Sequence, residues 1–217
     1  IGTSHERGRD HLQFGADVWN RGPASVLVEG FRAPDEDRMD AYQYFAEDGV
    51  IVGQAPVGSF HFDHRDQHQH WHFTQFARYR LLDAADAAIR SRKQAFCLAP
   101  TDSIDLTVDG AVWRPEHMGF SQCGSATSTW IREILPTGWG DTYFQWVPGQ
   151  SFDITDLPNG TYWIEVRANP GGRLFDGDPT NDVELREVIL RGRPGSRPVE
   201  APPWHGIDTE GLFGFGH

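Results

Sequence analysis

The sequence predicts a mainly β fold, a β-sandwich with long irregular loops and little helix. Three observations predict it. Apolar residues alternate with polar ones in short runs, and Gly- and Pro-containing turns separate those runs. Aromatic content is high, with 8 Trp and 14 Phe in 217 residues, and the hydrophobic share of 38% is enough for a substantial core.

The elements follow in chain order. Leu12, Phe14, Ala16 and Val18 alternate with polar or small residues, the period of a half-buried strand, until Asn20-Arg21-Gly22-Pro23 breaks the run. Ser25 to Glu29 reads as the next short strand, and Val50-Ile51-Val52 between Gly49 and Gly53 as another. Leu81 to Ile89, rich in Ala and Asp, reads as a short helix or helical turn. Pro158-Asn159-Gly160 is a turn of hairpin type, since Asn-Gly tolerates positive φ, and Tyr162, Ile164 and Val166 alternate after it. That turn also explains the formal glycosylation sequon Asn159-Gly160-Thr161. Val183 and Leu185, then Val188 and Leu190, predict a strand bulged in its middle. Without an internal repeat or linker, residues 1–217 read as one domain, with its core between about 11 and 192 and an irregular Pro/Gly-rich tail over 193–217.

Composition narrows the function classes. The net charge of −12 disfavours nucleic acid and anionic membranes and suits either a cationic partner or plain solubility. No run approaches the roughly 20 apolar residues of a membrane helix. No signal-like segment stands at the start, so one was removed or none existed. Cys97 and Cys123 are the two cysteines; an oxidising compartment would join them at a gain of about 3 kcal/mol, and otherwise they are buried thiols.

Five of the ten histidines fall between positions 61 and 72, and His68-Gln69-His70-Trp71-His72 is the heart of the cluster. On a helix, side chains two residues apart point away from each other. On a strand, positions i, i+2 and i+4 share a face. The aromatic sequence from Trp71 onward favours the strand, which lines up His68, His70 and His72 as candidate metal ligands with Gln69, Trp71 and Phe73 behind them. An all-nitrogen site suits copper, zinc, nickel or iron and leaves a position open for water, dioxygen or substrate. His61 and His64 fit the set less well, while Asp63 and Asp66 are candidate acceptors behind the imidazoles.

This stretch, with Tyr79 and Leu81-Leu82-Asp83-Ala84 after it, resembles the copper-binding segment of the lysyl oxidase family. Three further segments continue the resemblance in the family's order. Lys93-Gln94-Ala95-Phe96-Cys97-Leu98 is similar to the segment that supplies the cofactor lysine. Gly140-Asp141-Thr142-Tyr143 with Gln145-Trp146 is similar to the one that supplies the cofactor tyrosine. Asp153-Ile154-Thr155-Asp156-Leu157-Pro158-Asn159-Gly160-Thr161-Tyr162 is similar to the turn and strand that follow. Any one of these motifs is weak; four in order are specific.

The resemblance implies a secreted copper amine oxidase. In such an enzyme copper and dioxygen oxidise the tyrosine to a quinone and the lysine adds to its ring, giving lysine tyrosylquinone (LTQ). Here the pair is Lys93 and Tyr143, and Lys93 is the only lysine among the 19 basic residues. The implied substrates are a primary amine or a lysine-containing protein, together with dioxygen; the products are aldehyde, ammonia and hydrogen peroxide. The animal enzymes carry a histidine just before the Tyr-x-Leu-Leu element, where this chain has Ala77-Arg78, so the general base does not transfer simply. Asp141, two residues from Tyr143, is a candidate base or a loop cap.

The resemblance also favours a Cys97–Cys123 disulfide, while the further disulfides of the animal enzymes are missing, as in a pared-down microbial relative. Asp176, Asp178, Asn181 and Asp182 resemble a calcium-binding loop of the family and equally make an ordinary Asp/Asn-rich turn. Two competing readings remain: a copper- or zinc-binding β-domain with a structural or binding role in which no quinone forms, and a hydrolytic zinc enzyme, for which no His-Glu-x-x-His helix is present.

Overall fold

The computed structural model describes residues 1–65, 69–116 and 123–206, excepting the side chains of Gln75, Arg92, Lys93 and Gln94. Its strands in chain order begin with β1 (Gly2–Glu6), β2 (Arg9–Gln13), β3 (Ala16–Trp19), β4 (Val26–Phe31), β5 (Arg38–Glu47), β6 (Val50–Phe62), β7 (Trp71–Leu82) and β8 (Ala88–Phe96). They continue with β9 (Asp102–Ser103), β10 (Trp130–Leu135), β11 (Trp139–Tyr143), β12 (Ser151–Asp153), β13 (Gly160–Ala168), β14 (Val183–Leu190) and β15 (Val199–Glu200). The mainly β expectation holds, and all the pairings are antiparallel.

The large sheet runs β10-β4-β5-β6-β7-β13-β14-β15, with β8 on the other edge of β7. Two small sheets, β1-β2-β12 and β3-β11-β9, complete the structure. All three contribute to one apolar core: Leu12 and Phe152 from the first small sheet, Phe14 just after β2, Val18 and Trp139 from the second, and Phe60, Phe73, Tyr79, Leu81, Ile164 and Val188 from the large one. Phe14 joins the layers, stacked on Phe152 at 5.1 Å and edge-on to Tyr79 at 5.3 Å. Burying each large apolar side chain of this kind contributes about 1.5–3 kcal/mol.

Leu12, Phe14, Ala16 and Val18 are buried as their alternation predicts, although Phe14-Gly15 divides the run into β2 and β3. Leu81 to Ile89 is not helical. Leu81 and Leu82 end β7, Ile89 belongs to β8, and a tight turn between them is closed by Asp83, whose Oδ1 accepts the amides of Ala85 and Ala87. The strand ends claim the flanking apolar residues, so too few remain to propagate a helix.

The expected bulge in β14 is also absent: it pairs with β13 residue by residue, from Gly160 with Leu190 to Arg167 with Val183. Its break in alternation comes from Leu185, a leucine left 42% exposed on the surface. Pro158-Asn159-Gly160 is a turn but not a hairpin, because it leads from β12 in a small sheet to β13 in the large one. The tail is irregular except for β15, with residues 207–217 outside the described part. No helix among the described residues is long and apolar enough to cross a membrane.

Candidate metal centre and tyrosine site

β7 begins at Trp71, so His72 lies on a strand and His70 just precedes it. Trp71 and Phe73 alternate inward and are buried. His70 reaches the site from the preceding loop, and its Nε2 stands 2.9 Å from Nε2 of His72. Asp63, at the far end of β6, places Oδ2 3.6 Å from His72 Nδ1. Arg65 binds the same carboxylate through its guanidinium and amide and holds Asp63 well below the usual carboxylate range. His68 and Asp66 lie outside the described residues.

This arrangement fits a metal. Two nitrogens bound to one ion at about 2.0–2.1 Å each are separated by roughly 3 Å, as these are. A carboxylate on Nδ1 leaves Nε2 to ligate, the arrangement common behind metal-bound histidine. His61 was the weaker candidate on spacing, yet its strand position lies directly across from His72. Its ring centroid is 6.0 Å from that of His72. Spacing along one strand could not reveal it, because the proximity arises from antiparallel pairing.

Trp71 fixes the histidine run from behind. Its indole N–H donates to the Ser125 carbonyl, its ring packs on Phe62 at 5.6 Å, and the Arg32 guanidinium lies over it at 5.1 Å. Arg32 in turn donates to the carbonyls of Ser128, Ala126, Pro34 and Glu36.

The candidate tyrosine ends β11. Tyr143 packs edge-on against Phe96 of β8 at 4.8 Å. Burial, with the charges of Asp141, Tyr79 and Glu133, pushes its phenol well above the ordinary value, against a backbone hydrogen bond from Cys97. Asp141 shares its face of β11 by strand alternation. Asp141 is 1% exposed, and neither carboxylate oxygen has a hydrogen-bonding partner among the described residues. Burial, then Asp17 and Asp102, raises its carboxyl well above the carboxylate range.

Asp17, opposite Thr142, lies on the other face, with its carboxylate over the Cα of Gly140 so closely that a Cβ there would stand 2.1 Å from Oδ1. Burial and Asp102 push Asp17 up to about 7. Glu133 of β10 is fully buried, accepts the Leu98 amide through Oε2, and is raised well above the carboxylate range by burial. Next to it Cys97 and Cys123 form the expected disulfide. Sequence reasoning missed both Asp17 and Glu133, since each reads as the outward residue of an alternating strand.

Lys93 is described only by its backbone, which lies opposite Arg78 on β7. Arg78 also faces Arg167 on β13, so a row of three basic positions crosses the sheet. In β7 Ala77, Tyr79 and Leu81 are buried in the core and alternation puts Arg78 and Arg80 on the opposite face, while the register with β8 shifts between Phe73 and Ala77. The register sets the Lys93 position across from Arg78, and Tyr143 packs against the core.

The calcium candidates occupy the loop between β13 and β14. Asp176 accepts the Asp178 amide, and Asp178 accepts the amide of Thr180 at the start of a single 3-10 turn, Pro179–Asn181. Burial and Asp176 push Asp182 up to about 7.

The fold and its converging imidazoles define a mainly β protein with a candidate histidine metal centre and, separately, a tyrosine packed against the core. The lysyl oxidase family profile matches residues 53–194, and the chain belongs to that family. It is 32% identical over 129 residues to human lysyl oxidase homolog 1, a match covering 58% of this chain and 20% of the relative. Porcine protein-lysine 6-oxidase is 32% identical over 128 residues, covering 58% and 45%, and the human protein 34% identical over 128, covering 58% and 27%. The chain thus spans less than half the length of these relatives.

Proposed function

We propose that this chain is a copper- and quinone-dependent oxidase of primary amines, with the lysyl side chains of proteins as its principal substrates. Aldehyde, ammonia and hydrogen peroxide are the products. The convergence of His70 and His72 at 2.9 Å, with Asp63 behind His72, in a member of the lysyl oxidase family supports this reading above all. Relatives named protein-lysine 6-oxidase support the choice of substrate.

His68, His70 and His72 would hold copper, and Lys93 with Tyr143 would form LTQ. The quinone supplies an electron acceptor for amine oxidation, and copper with dioxygen supports its formation. The burial of Asp141 raises its affinity for protons, as a general base requires, and its place on the Tyr143 face puts it beside the reacting ring. Arg78, where the animal enzymes have histidine, does not serve as a base at ordinary pH. Asp176, Asp178, Asn181 and Asp182 supply the hard oxygens that calcium prefers. The disulfide is consistent with an extracellular setting.

Copper loading in air tests the proposal. It is expected to produce a quinone absorption band that phenylhydrazine abolishes, and peroxide from lysyl peptides or small amines. Lys93→Arg and Tyr143→Phe are expected to lose both. Full amine-dependent peroxide production by Lys93→Arg would overturn the LTQ assignment.

One observation favours a second reading, a copper- or zinc-binding β-domain with a structural or binding role and no mature quinone. The Lys93 position pairs with Arg78, not with the core-facing Tyr79. Copper-loaded protein that yields neither band nor peroxide supports this second reading.

A further inference from the structure

We infer that His61, outside the His68-His70-His72 triplet, is a further ligand of the metal centre, binding the same copper ion as His70 and His72. The inference rests on the copper reading above and adds a ligand from a different strand.

β6 and β7 pair over only three positions, Phe60 with Phe73, His61 with His72, and Phe62 with Trp71. Residues directly opposite in an antiparallel pair project from the same face with Cβ atoms about 4.5–5.5 Å apart. The neighbours hold this register. Phe60 packs on Phe73 at 5.3 Å and Phe62 on Trp71 at 5.6 Å, so the aromatic pairs on either side of His61 fix it opposite His72. A one-residue slip would move His61 to the other face and expose both phenylalanines.

The ring positions suit a shared ion. An imidazole bound at about 2.0–2.1 Å has its centroid roughly 3 Å from the metal, so two such rings lie about 4.4 Å apart when cis and about 6 Å apart when trans. The His70 and His72 centroids are 4.6 Å apart, and those of His61 and His72 are 6.0 Å apart. The rings are inclined by 65° and 78°. The His61 ring therefore already stands at a separation from His72 that two imidazoles on one ion adopt. Asp63 stands two residues beyond His61 and engages His72 at Nδ1, which keeps Nε2 on the side where His70 converges. Copper(II) favours sets of nitrogen donors, and His61 adds an imidazole from a second strand to those of His70 and His72.

Electron paramagnetic resonance on protein loaded with one equivalent of Cu(II), combined with a copper affinity measurement, tests the assignment without requiring turnover. His61→Ala and His61→Gln are each expected to remove one histidine nitrogen from the copper spectrum and to weaken copper binding roughly tenfold or more. The glutamine variant keeps a polar side chain of similar size, and circular dichroism with metal-free melting establishes that both variants are folded. A wild-type spectrum and affinity in both folded variants would overturn the inference. His72→Ala is the control: if it binds copper as the wild type does, the copper centre itself is wrong and His61 falls with it.

Discussion

His70 and His72 bring their Nε2 atoms to 2.9 Å although only His72 belongs to a strand. The loop, not strand alternation, carries His70 to its partner. If the pair holds copper as proposed, copper at one hundred times Kd is expected to stabilise the wild type by about 2.7 kcal/mol, and replacing either histidine with alanine to abolish that gain; melting temperature with and without copper measures it.

Asp63 joins the charge of Arg65 to the far nitrogen of His72. Asp63→Asn keeps the shape and removes the charge. Copper affinity by isothermal titration is expected to fall roughly 10- to 100-fold, with the protein still folded. An unchanged affinity would show that the carboxylate does not support the ligand.

How much of this was legible in the sequence depended on whether the signal was local. The buried run Leu12, Phe14, Ala16 and Val18 was legible because burial on one face imposes period two, and the approach of His70 to His72 because the two are neighbours in the chain. Leu81 to Ile89 misled because Ala-rich composition suggests a helix, while Leu81 and Ile89 are claimed by the pairing of β7 with β8. Asp17 and Glu133 were not legible as site residues, and His61 only as a weaker candidate. His61 approaches His72 by cross-strand register, and the surroundings of Asp17 and Glu133 come from residues distant in the chain, neither of which leaves a local pattern.

Asp17 gives stability a dependence on pH. Its carboxyl is raised from 3.8 to about 7, so between those values the folded state holds a proton that the unfolded state has released. Stability from this group is therefore full below about pH 4 and falls as pH rises toward 7. Asp17→Asn is expected to remove that slope and to gain on the order of 3 kcal/mol relative to wild type between pH 4 and 8, read by urea denaturation at both.

The Cys97–Cys123 bond closes a sequence separation of 26 residues. Cys97→Ser with Cys123→Ser is expected to cost about 3–4 kcal/mol of unfolding free energy. Reducing agent should lower the stability of the wild type by a similar amount and leave the double variant unchanged.

Asp141 and Tyr143 share a face of β11, and the carboxylate lacks a hydrogen-bonding partner among the described residues. If Asp141 is the general base, Asp141→Asn is expected to lower kcat by about 10²- to 10⁴-fold while copper content stays at the wild-type level. A variant that retains kcat would assign Asp141 a packing role. Because the carboxyl is raised well above its ordinary value, wild-type turnover should climb as pH rises through its titration, and that limb should vanish in the asparagine variant.

Ser125, which accepts the Trp71 indole, lies two residues beyond Cys123, and the Cys97 amide on the other side of the same bond reaches the Tyr143 hydroxyl. The one disulfide therefore ties the carbonyl that backs the histidine run to the amide that seats the tyrosine, so reducing it is expected to loosen both together.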